Sequence, residues 1–269
     1  MPKVKVNGAW VHYETQGEGP ETIVFAHGLL WCGSMFENQM AALKSRYRCI
    51  AFDFRGQGQS TVTPSGYDLE SLYLDTVALI EMLNAAPCHF VGVSMGGMIG
   101  LRIALRQPAL LKSLALFATS ADAENQENQR RYRTLTLIAG LLGIRLVADK
   151  VMPVMFGKTF LNDPLRAELK ARWRDQLIAN RRIGLALAVM GVINRAPIYD
   201  QIHKINLPTL VAMGDEDLAI SREQAQRIHS QIAGSTLALI PRAGHTPTVE
   251  EPAMVNALLE QFISSGAAK

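Results

Sequence analysis

Cysteine is scarce. Cys32, Cys49 and Cys88 are an odd number without CxxC spacing, which argues against a secreted disulfide framework and for reduced thiols in a cytoplasmic setting. Charge is modest too: 19% of residues are charged and the formal net charge is only +3, too little for the basic footprint of a nucleic-acid binder. Long apolar runs are missing. The longest, Leu135 to Ile144 and Ile183 to Ile193, are about half of the roughly 20 residues that a bilayer-spanning helix needs, so no membrane partner is expected. Met1-Pro2-Lys3-Val4-Lys5-Val6 alternates charged and apolar residues and lacks the apolar core of a secretory signal. Repeats, heptads, metal-ligand spacings, Rossmann glycine patterns and Walker loops are absent, so no metal and no cofactor are implied.

What is present is a chain of 269 residues, 48% hydrophobic, with mean hydropathy +0.09. That size buries about 70–75% of the unfolded surface and needs no disulfide or metal staple. Val4 and Val6, the Asn7-Gly8 turn and Trp10-Val11-His12-Tyr13 predict a hairpin over residues 3–15. Thr22 to Ala26 and Cys49 to Phe52 are continuous apolar runs, the pattern of parallel strands buried on both faces. Between them Ser34 and Glu37 form a capping box for a helix reaching about Ser45. Leu69, Leu72, Val77, Ile80 and Leu83 repeat at helical spacing, predicting a helix from about Leu69 to Asn84.

Strands follow at His89-Phe90-Val91, Ser113 to Phe117, Thr209 to Met213 and Leu237 to Ile240. The next-to-last helix is capped by Ser221 and Gln224, and the last runs from Pro252 to near Gly266. Strands alternating with helices imply an α/β fold, a mostly parallel sheet with right-handed crossovers and helices on both faces. The rhythm breaks between Ala121 and Lys204, which read as helical, with 14 basic residues to 8 acidic, a net +6. The expected organisation is therefore a core of residues 1–120 and 205–269, with residues 121–204 inserted as a helical cap.

In such sheets functional residues gather at the carboxyl ends of strands, where His27, Asp53, Ser94 and Thr119 all fall. Gly92-Val93-Ser94-Met95-Gly96-Gly97 joins a strand to a helix and matches the G-x-S-x-G nucleophile elbow. That turn holds its central residue at φ > 0, and the flanking glycines let strand and helix close around it. A serine needs a base to take its proton and a carboxylate to orient the base. Elbow enzymes supply them in the order Ser, acid, His. Of six histidines only His245 follows a buried strand, sits in a glycine-bearing loop and comes after candidate acids. The loop after Met213 offers Asp215, Glu216 and Asp217. The Met95 amide, directly after the nucleophile, is one oxyanion donor.

Across nearly its whole length the sequence resembles the α/β-hydrolase family. The matching motifs are His27-Gly28, Asp53-x-Arg55-Gly56-x-Gly58-x-Ser60, the elbow, Gly214-x-x-Asp217 and Gly244-His245-x-Pro247-x-x-Glu250-x-Pro252. The resemblance implies the α/β-hydrolase fold and a triad of Ser94, Asp217 and His245, with Asp215 structural. It gives the second oxyanion donor to the Leu29 amide, places Leu29, Leu30, Trp31 and His27 around the substrate pocket, and makes His27 a buttress of that loop. It makes Asp53 and Arg55 scaffold residues.

The stretches 53–60 and 27–36 look most like small bacterial carboxylesterases, 3-oxoadipate enol-lactonase-like hydrolases and cofactor-free perhydrolases. The leading expectation is a serine hydrolase that cleaves a small-molecule carboxylic ester or lactone through an acyl-Ser94 intermediate. One alternative is an enol-lactonase whose carboxylated substrate is drawn by the basic cap. Another is a non-turnover ligand-binding or signalling member of the fold. A homo-oligomer is compatible with every one of them.

Overall fold

The computed structural model describes residues 2–266. Strands β1 (Lys3–Val6) and β2 (Ala9–Gln16) pair antiparallel, with Val4 opposite Val11 and Val6 opposite Ala9. Asn7 at φ 43° and Gly8 at φ 82° supply the two positive φ angles that a type I′ turn demands. Next come β3 (Glu21–Ala26), helix α1 (Glu37–Leu43), β4 (Tyr47–Phe52), α2 (Leu69–Met82), β5 (Cys88–Val93), α3 (Met95–Arg106) and β6 (Leu111–Phe117). After a long helical stretch the chain returns with β7 (Thr209–Gly214) and β8 (Thr236–Ile240).

The eight strands form one sheet in the order β1-β2-β4-β3-β5-β6-β7-β8. It is antiparallel at the β1-β2-β4 edge and parallel from β4 to β8. The central strands read as unbroken apolar runs because both faces are covered. In β3, Ile23 and Phe25 point into one apolar cluster while Val24 and Ala26 point into the other, and all four are fully buried. The Val24 face packs against α2 and α3, and the Ile23 face against α1.

Between β6 and β7 lie α4 (Gln126–Leu142), α5 (Arg145–Met155), α6 (Lys158–Asn162), α7 (Ala167–Ile178) and α8 (Arg182–Ile193), with no strand among them. The stretch that closes this segment, with Ile198, Ile202 and Ile205 buried, packs into the sheet core beside α2 and α3. After β7 come α9 (Arg222–Gln231) and, after β8, α10 (Pro247–Glu250) and α11 (Pro252–Gly266). Ser221 and Gln224 form the expected capping box of α9 in both directions. Among the described residues no single helix is long and apolar enough to cross a membrane, and none of their His, Cys, Asp and Glu side chains group by three or more as a metal site would require.

Two local expectations fail. Ser34 and Glu37 form no capping box: residues Gly33–Phe36 wind into a 3₁₀ turn, and α1 starts only at Glu37. Ser34 Oγ pairs with Cys32 Sγ at 3.2 Å, the Glu37 amide donates to the Ser34 carbonyl, and the Glu37 carboxylate reaches across to Arg172, so each group the cap would use is engaged elsewhere. Helix α2 stops at Met82 because Asn84 turns to φ 48°, a left-handed conformation that ends a helix.

A close approach of backbone to backbone carries α3 onto the sheet. A Cβ on Gly96 would stand 2.0 Å from the Ala26 carbonyl oxygen of β3, and one on Gly92 would stand 2.5 Å from the Gly96 backbone. Replacing Gly96 by alanine gains about 1 kcal/mol of helix propensity but forces backbone against backbone, at about 3 kcal/mol or more. The net expectation for Gly96→Ala is a Tm lowered by about 4–8 °C in a thermal melt; an unchanged or raised Tm would show that α3 can lift off β3 freely.

Candidate active site

Ser94 follows β5 at φ 50°, ψ −112°. A non-glycine residue held there stores about 1–3 kcal/mol of strain, so neighbours must fix it. The Ser94 amide donates to the Phe117 carbonyl at 2.8 Å, and its own carbonyl accepts from Met98 N–H at 3.0 Å and from Thr119 Oγ1 at 2.7 Å. Phe117 and Thr119 sit at and just beyond the end of β6, the neighbouring strand, and Met98 in the first turn of α3. The serine hydroxyl stands at the N-terminus of α3.

His245, in the loop after β8, places Nε2 at 2.9 Å from Ser94 Oγ and Nδ1 at 2.9 Å from Asp217 Oδ2. Asp217 is held in turn by the Ala219 and Ile220 amides, at 2.8 and 3.0 Å on Oδ1. Asp215 instead accepts the Arg242 amide at 2.8 Å and shapes the loop. Of the three acids after β7, only Asp217 meets the imidazole. Burial penalises the His245 imidazolium, but the Asp217 carboxylate beside it, with Glu250 and Glu124 beyond, outweighs that and raises its pKa above the ordinary value.

The turn after β3 lies against this serine: a Cβ on Gly28 would be 3.4 Å from Ser94 Cβ. His27 is fully buried beneath the turn. Its Nδ1–H donates to the Gly28 carbonyl at 2.7 Å and its Nε2 accepts from Phe54 N–H at 2.9 Å. That arrangement needs a neutral ring, and burial lowers the His27 pKa accordingly. Leu30 at φ 79° is pinned at both ends, its amide to Gln57 Oε1 at 3.0 Å and its carbonyl to Asn180 Nδ2 at 2.9 Å. Among the described residues neither the Leu29 nor the Met95 amide has an acceptor, leaving two N–H groups beside the serine.

A cavity of about 140 Å³ opens onto Ser94 and His245, about the room that a benzene-sized group occupies. Its wall is mostly aliphatic: Leu29, Leu30 and Met98 from the core, and Ile144, Val151, Leu185 and Val189 from the helices between β6 and β7. Four charged residues also line it, namely Glu124, Lys150, Arg182 and Arg195. Glu124 and Arg195 neutralise each other at 2.9 Å, whereas Lys150 and Arg182 have no acidic partner among the described residues.

Two expected pocket residues are elsewhere. Trp31 is only 1% exposed and packs its ring on Trp173 and Phe156, at centroid distances of 5.2 and 5.6 Å. His27 faces the core for the reason just given. Asp53 and Arg55 also lie outside the cavity wall. Asp53 accepts from the Gly33 and Gln59 amides and from His12 Nδ1, and Arg55 makes a double hydrogen bond to Asp75, both at 2.9 Å. Burial pushes the Cys32 thiol up, away from a reactive thiolate.

The structure also brings in residues that the sequence reading left without a role. Glu216, between two aspartates, accepts from the Thr159 amide and hydroxyl at 2.7 and 2.6 Å. Glu250 accepts the amides on either side of His245; its place five residues after the histidine, inside the matched motif, was the available signal. Nothing in the spacing of Gln57 or Asn180 pointed to the turn that they hold.

Fold and site together define a protein of the hydrolase class, with a serine turned out at a strand end against a carboxylate-held histidine. The model of the alpha/beta hydrolase family matches residues 23–258, and the chain belongs to that family. The 3-oxoadipate enol-lactonase 1 of Acinetobacter baylyi is 27% identical, covering 93% of this chain and 92% of its own. A relative in Variovorax paradoxus, 27% identical over 94% of this chain and 96% of its own, carries the provisional name carbamate hydrolase RutD. Among solved structures, a thermophilic esterase from Thermogutta terrifontis superposes with TM-score 0.91 at 25% identity, over 99% of both chains. The enol-lactonase from Burkholderia xenovorans superposes equally well, TM-score 0.91 at 27% identity, over 98% of this chain and 100% of that one.

Because the raised pKa of His245 rests on its carboxylate neighbours, its imidazole should titrate above the ordinary value of about 6.5 when followed by NMR. Asp217→Asn should bring that titration down. In the unaltered protein, chemistry that needs the neutral ring should fade as the pH falls through that raised value. A His245 that titrates at or below that value in the unaltered protein would contradict the geometry.

Proposed function

We propose that the protein is a carboxylic ester hydrolase, cleaving a small ester or lactone through an acyl-Ser94 intermediate. The observation that carries the reading is the unbroken line of hydrogen bonds from Ser94 through His245 to Asp217, ending in an apolar cavity with two free amides beside the serine. Asp217 keeps the proton of His245 on Nδ1, so Nε2 is the acceptor facing Ser94 Oγ. Ser94 Oγ attacks the carbonyl carbon as its proton passes to Nε2. The oxyanion is met by the Leu29 and Met95 amides, each such donor worth about 3–4 kcal/mol. The tetrahedral adduct collapses, the C–O bond to the alcohol breaks, and the alcohol leaves with the proton from Nε2. Water then attacks the acyl-enzyme by the same route and frees the acid and Ser94. In a lactone the alcohol and acid are one product. Metal and cofactor have no step in this scheme.

The helices of residues 121–204 serve in this reading as a cap, their aliphatic side chains forming the far wall of the acyl pocket. The likeness to an esterase and to enol-lactonases supports the ester and lactone class. Ser94→Ala should lower kcat on a simple aryl ester by about 10⁴-fold or more, and an organophosphonate should add its mass at Ser94 in the wild type only. Retained turnover in the variant would end the proposal. An organophosphonate adduct on Ser94 with no turnover across a panel of short acyl esters would favour a ligand-binding role instead.

A second reading, an enol-lactonase acting on a carboxylated lactone, is favoured by one observation: Lys150 and Arg182 line the cavity without acidic partners. A carboxylate in the cavity would be drawn by both cations, which are exposed and so partly screened by solvent. If it holds, Lys150→Ala with Arg182→Ala raises KM for a carboxylated lactone about tenfold or more and leaves its methyl ester unchanged. Equal effects on the acid and the ester would remove this reading and keep the first.

A further inference from the structure

The two loops carrying Asp217 and His245 are fastened to one short piece of the helical segment, the stretch from Met155 to Thr159. Glu250 is fully buried, 1% exposed, at the end of α10. Its Oε1 accepts the Thr246 amide at 3.0 Å, and its Oε2 accepts both the Gly244 amide at 2.9 Å and the Gly157 amide at 2.7 Å. One carboxylate therefore grips the chain on each side of His245 and ties it to the junction of α5 and α6. Thr246 Oγ1 adds a bond to the Met155 carbonyl at 2.7 Å. From the other loop, Glu216 holds Thr159 by its amide and hydroxyl, and the Glu216 amide donates to the Ala243 carbonyl at 2.9 Å.

Close approach is possible only because two glycines meet there. A Cβ on Gly244 would stand 2.2 Å from the Gly157 nitrogen, and one on Gly157 would stand 2.6 Å from Glu216 Oε2. The junction is thus a built seam: two carboxylates, Glu216 beside Asp217 and Glu250 beyond His245, clasp Gly157 and Thr159 of the same strap.

We propose that Glu250 is the positioning residue of His245, setting the imidazole on Ser94 only while the Gly157 strap of the helical segment is seated against the sheet. This rests on the reading of His245 as the base. On it the helices over the pocket have two tasks, to wall the acyl group and to hold the base in register with Asp217. The arrangement is costly to the carboxylate. Burial pushes the Glu250 carboxyl up to about 7, against the pull of its three amide donors, and the Asp217 charge adds to the rise. The Arg166 guanidinium meets the Glu250 carbonyl rather than its carboxylate. A carboxyl buried in spite of that cost, with all three of its amide contacts directed at the histidine loop or its strap, is what a positioning role requires.

Glu250→Gln keeps the shape and removes the charge; its amide N–H₂ must face an amide N–H, so at least one of the three bonds is lost. The groups acting on the His245 imidazolium are Asp217, Glu250 and Glu124, so loss of one of these charges lowers its pKa. In Glu250→Gln we expect kcat to fall about 10- to 100-fold, KM to change less than about twofold, and His245 to titrate lower by NMR. Glu250→Asp keeps the charge but not the reach: kcat falls, and the His245 titration stays close to that of the wild type. If Glu250→Gln does not fold, the Glu250→Asp split between kcat and titration decides.

A Glu250→Gln protein with wild-type kcat, or with an unmoved His245 titration, overturns the proposal. So does a Glu250→Asp protein with full kcat. The NMR arm needs no turnover: a wild type inactive on every ester, whose His245 titration still shifts on substitution, would sink the acyl-transfer reading and leave the positioning role standing.

Discussion

One backbone conformation constrains the rest: Ser94 at φ 50°, ψ −112°. A serine adopts it only if the strand before and the helix after are held tightly enough to offset the strain. Gly92 and Gly96 let β5, α3 and β3 approach within backbone contact. Phe117 and Thr119, from the next strand and the residues just beyond it, clamp the serine amide and carbonyl. Those demands explain why β3, β5 and β6 are adjacent and parallel at the middle of the sheet, and why their residues are apolar on both faces. The hydroxyl takes no part in that clamp and meets His245 Nε2 instead.

Around that fixed point the partners arrive on loops, and loops have no ladder to hold them. Each is secured by buried polar bonds instead. His27 and Gln57 fasten the turn that bears Leu29, two backbone amides fasten Asp217, and Glu250 fastens the chain on both sides of His245. The price of this scheme is a set of buried charges and neutral imidazoles whose protonation is set by their surroundings. The scaffold and the chemistry are therefore coupled electrostatically as well as sterically, since the charges that shape the loops are also felt by the imidazole.

The parallel sheet, the hairpin, the elbow and the capping box of α9 were legible in the sequence, because each depends on local periodicity or on glycine at a required φ. Ser94, Asp217 and His245 could be singled out because strand ends recur before them, and the structure brings all three within hydrogen-bonding distance. Trp31 and His27 were misplaced for one reason: a residue next to a site in sequence can point away from it when the turn reverses at Leu30. The false cap at Ser34 had the right letters, but Arg172, distant in sequence, claimed the Glu37 carboxylate, and Cys32 took the Ser34 hydroxyl. Glu216 and Glu250 were readable as letters and not as roles, since their partners lie about 57 and 93 residues away, on a helical segment whose own pattern says little beyond its helicity. Periodicity reports which face of an element is buried; it carries no record of which distant amide a carboxylate will meet.

The packing of Trp31 on Trp173 has an optical consequence. Trp31 sits just beyond the Gly28–Leu30 turn and Trp173 on α7, with rings 5.2 Å apart at an interplanar angle of 85°, while Trp10, the third indole in the chain, is half exposed in β2. Two indoles that close can share their excited states, so the pair is expected to contribute a coupled circular-dichroism band that a lone indole cannot. Such a band would persist only while the Gly28–Leu30 turn and α7 are in contact. The protein therefore carries its own spectroscopic gauge at the seam between sheet and helices, readable without label or substrate.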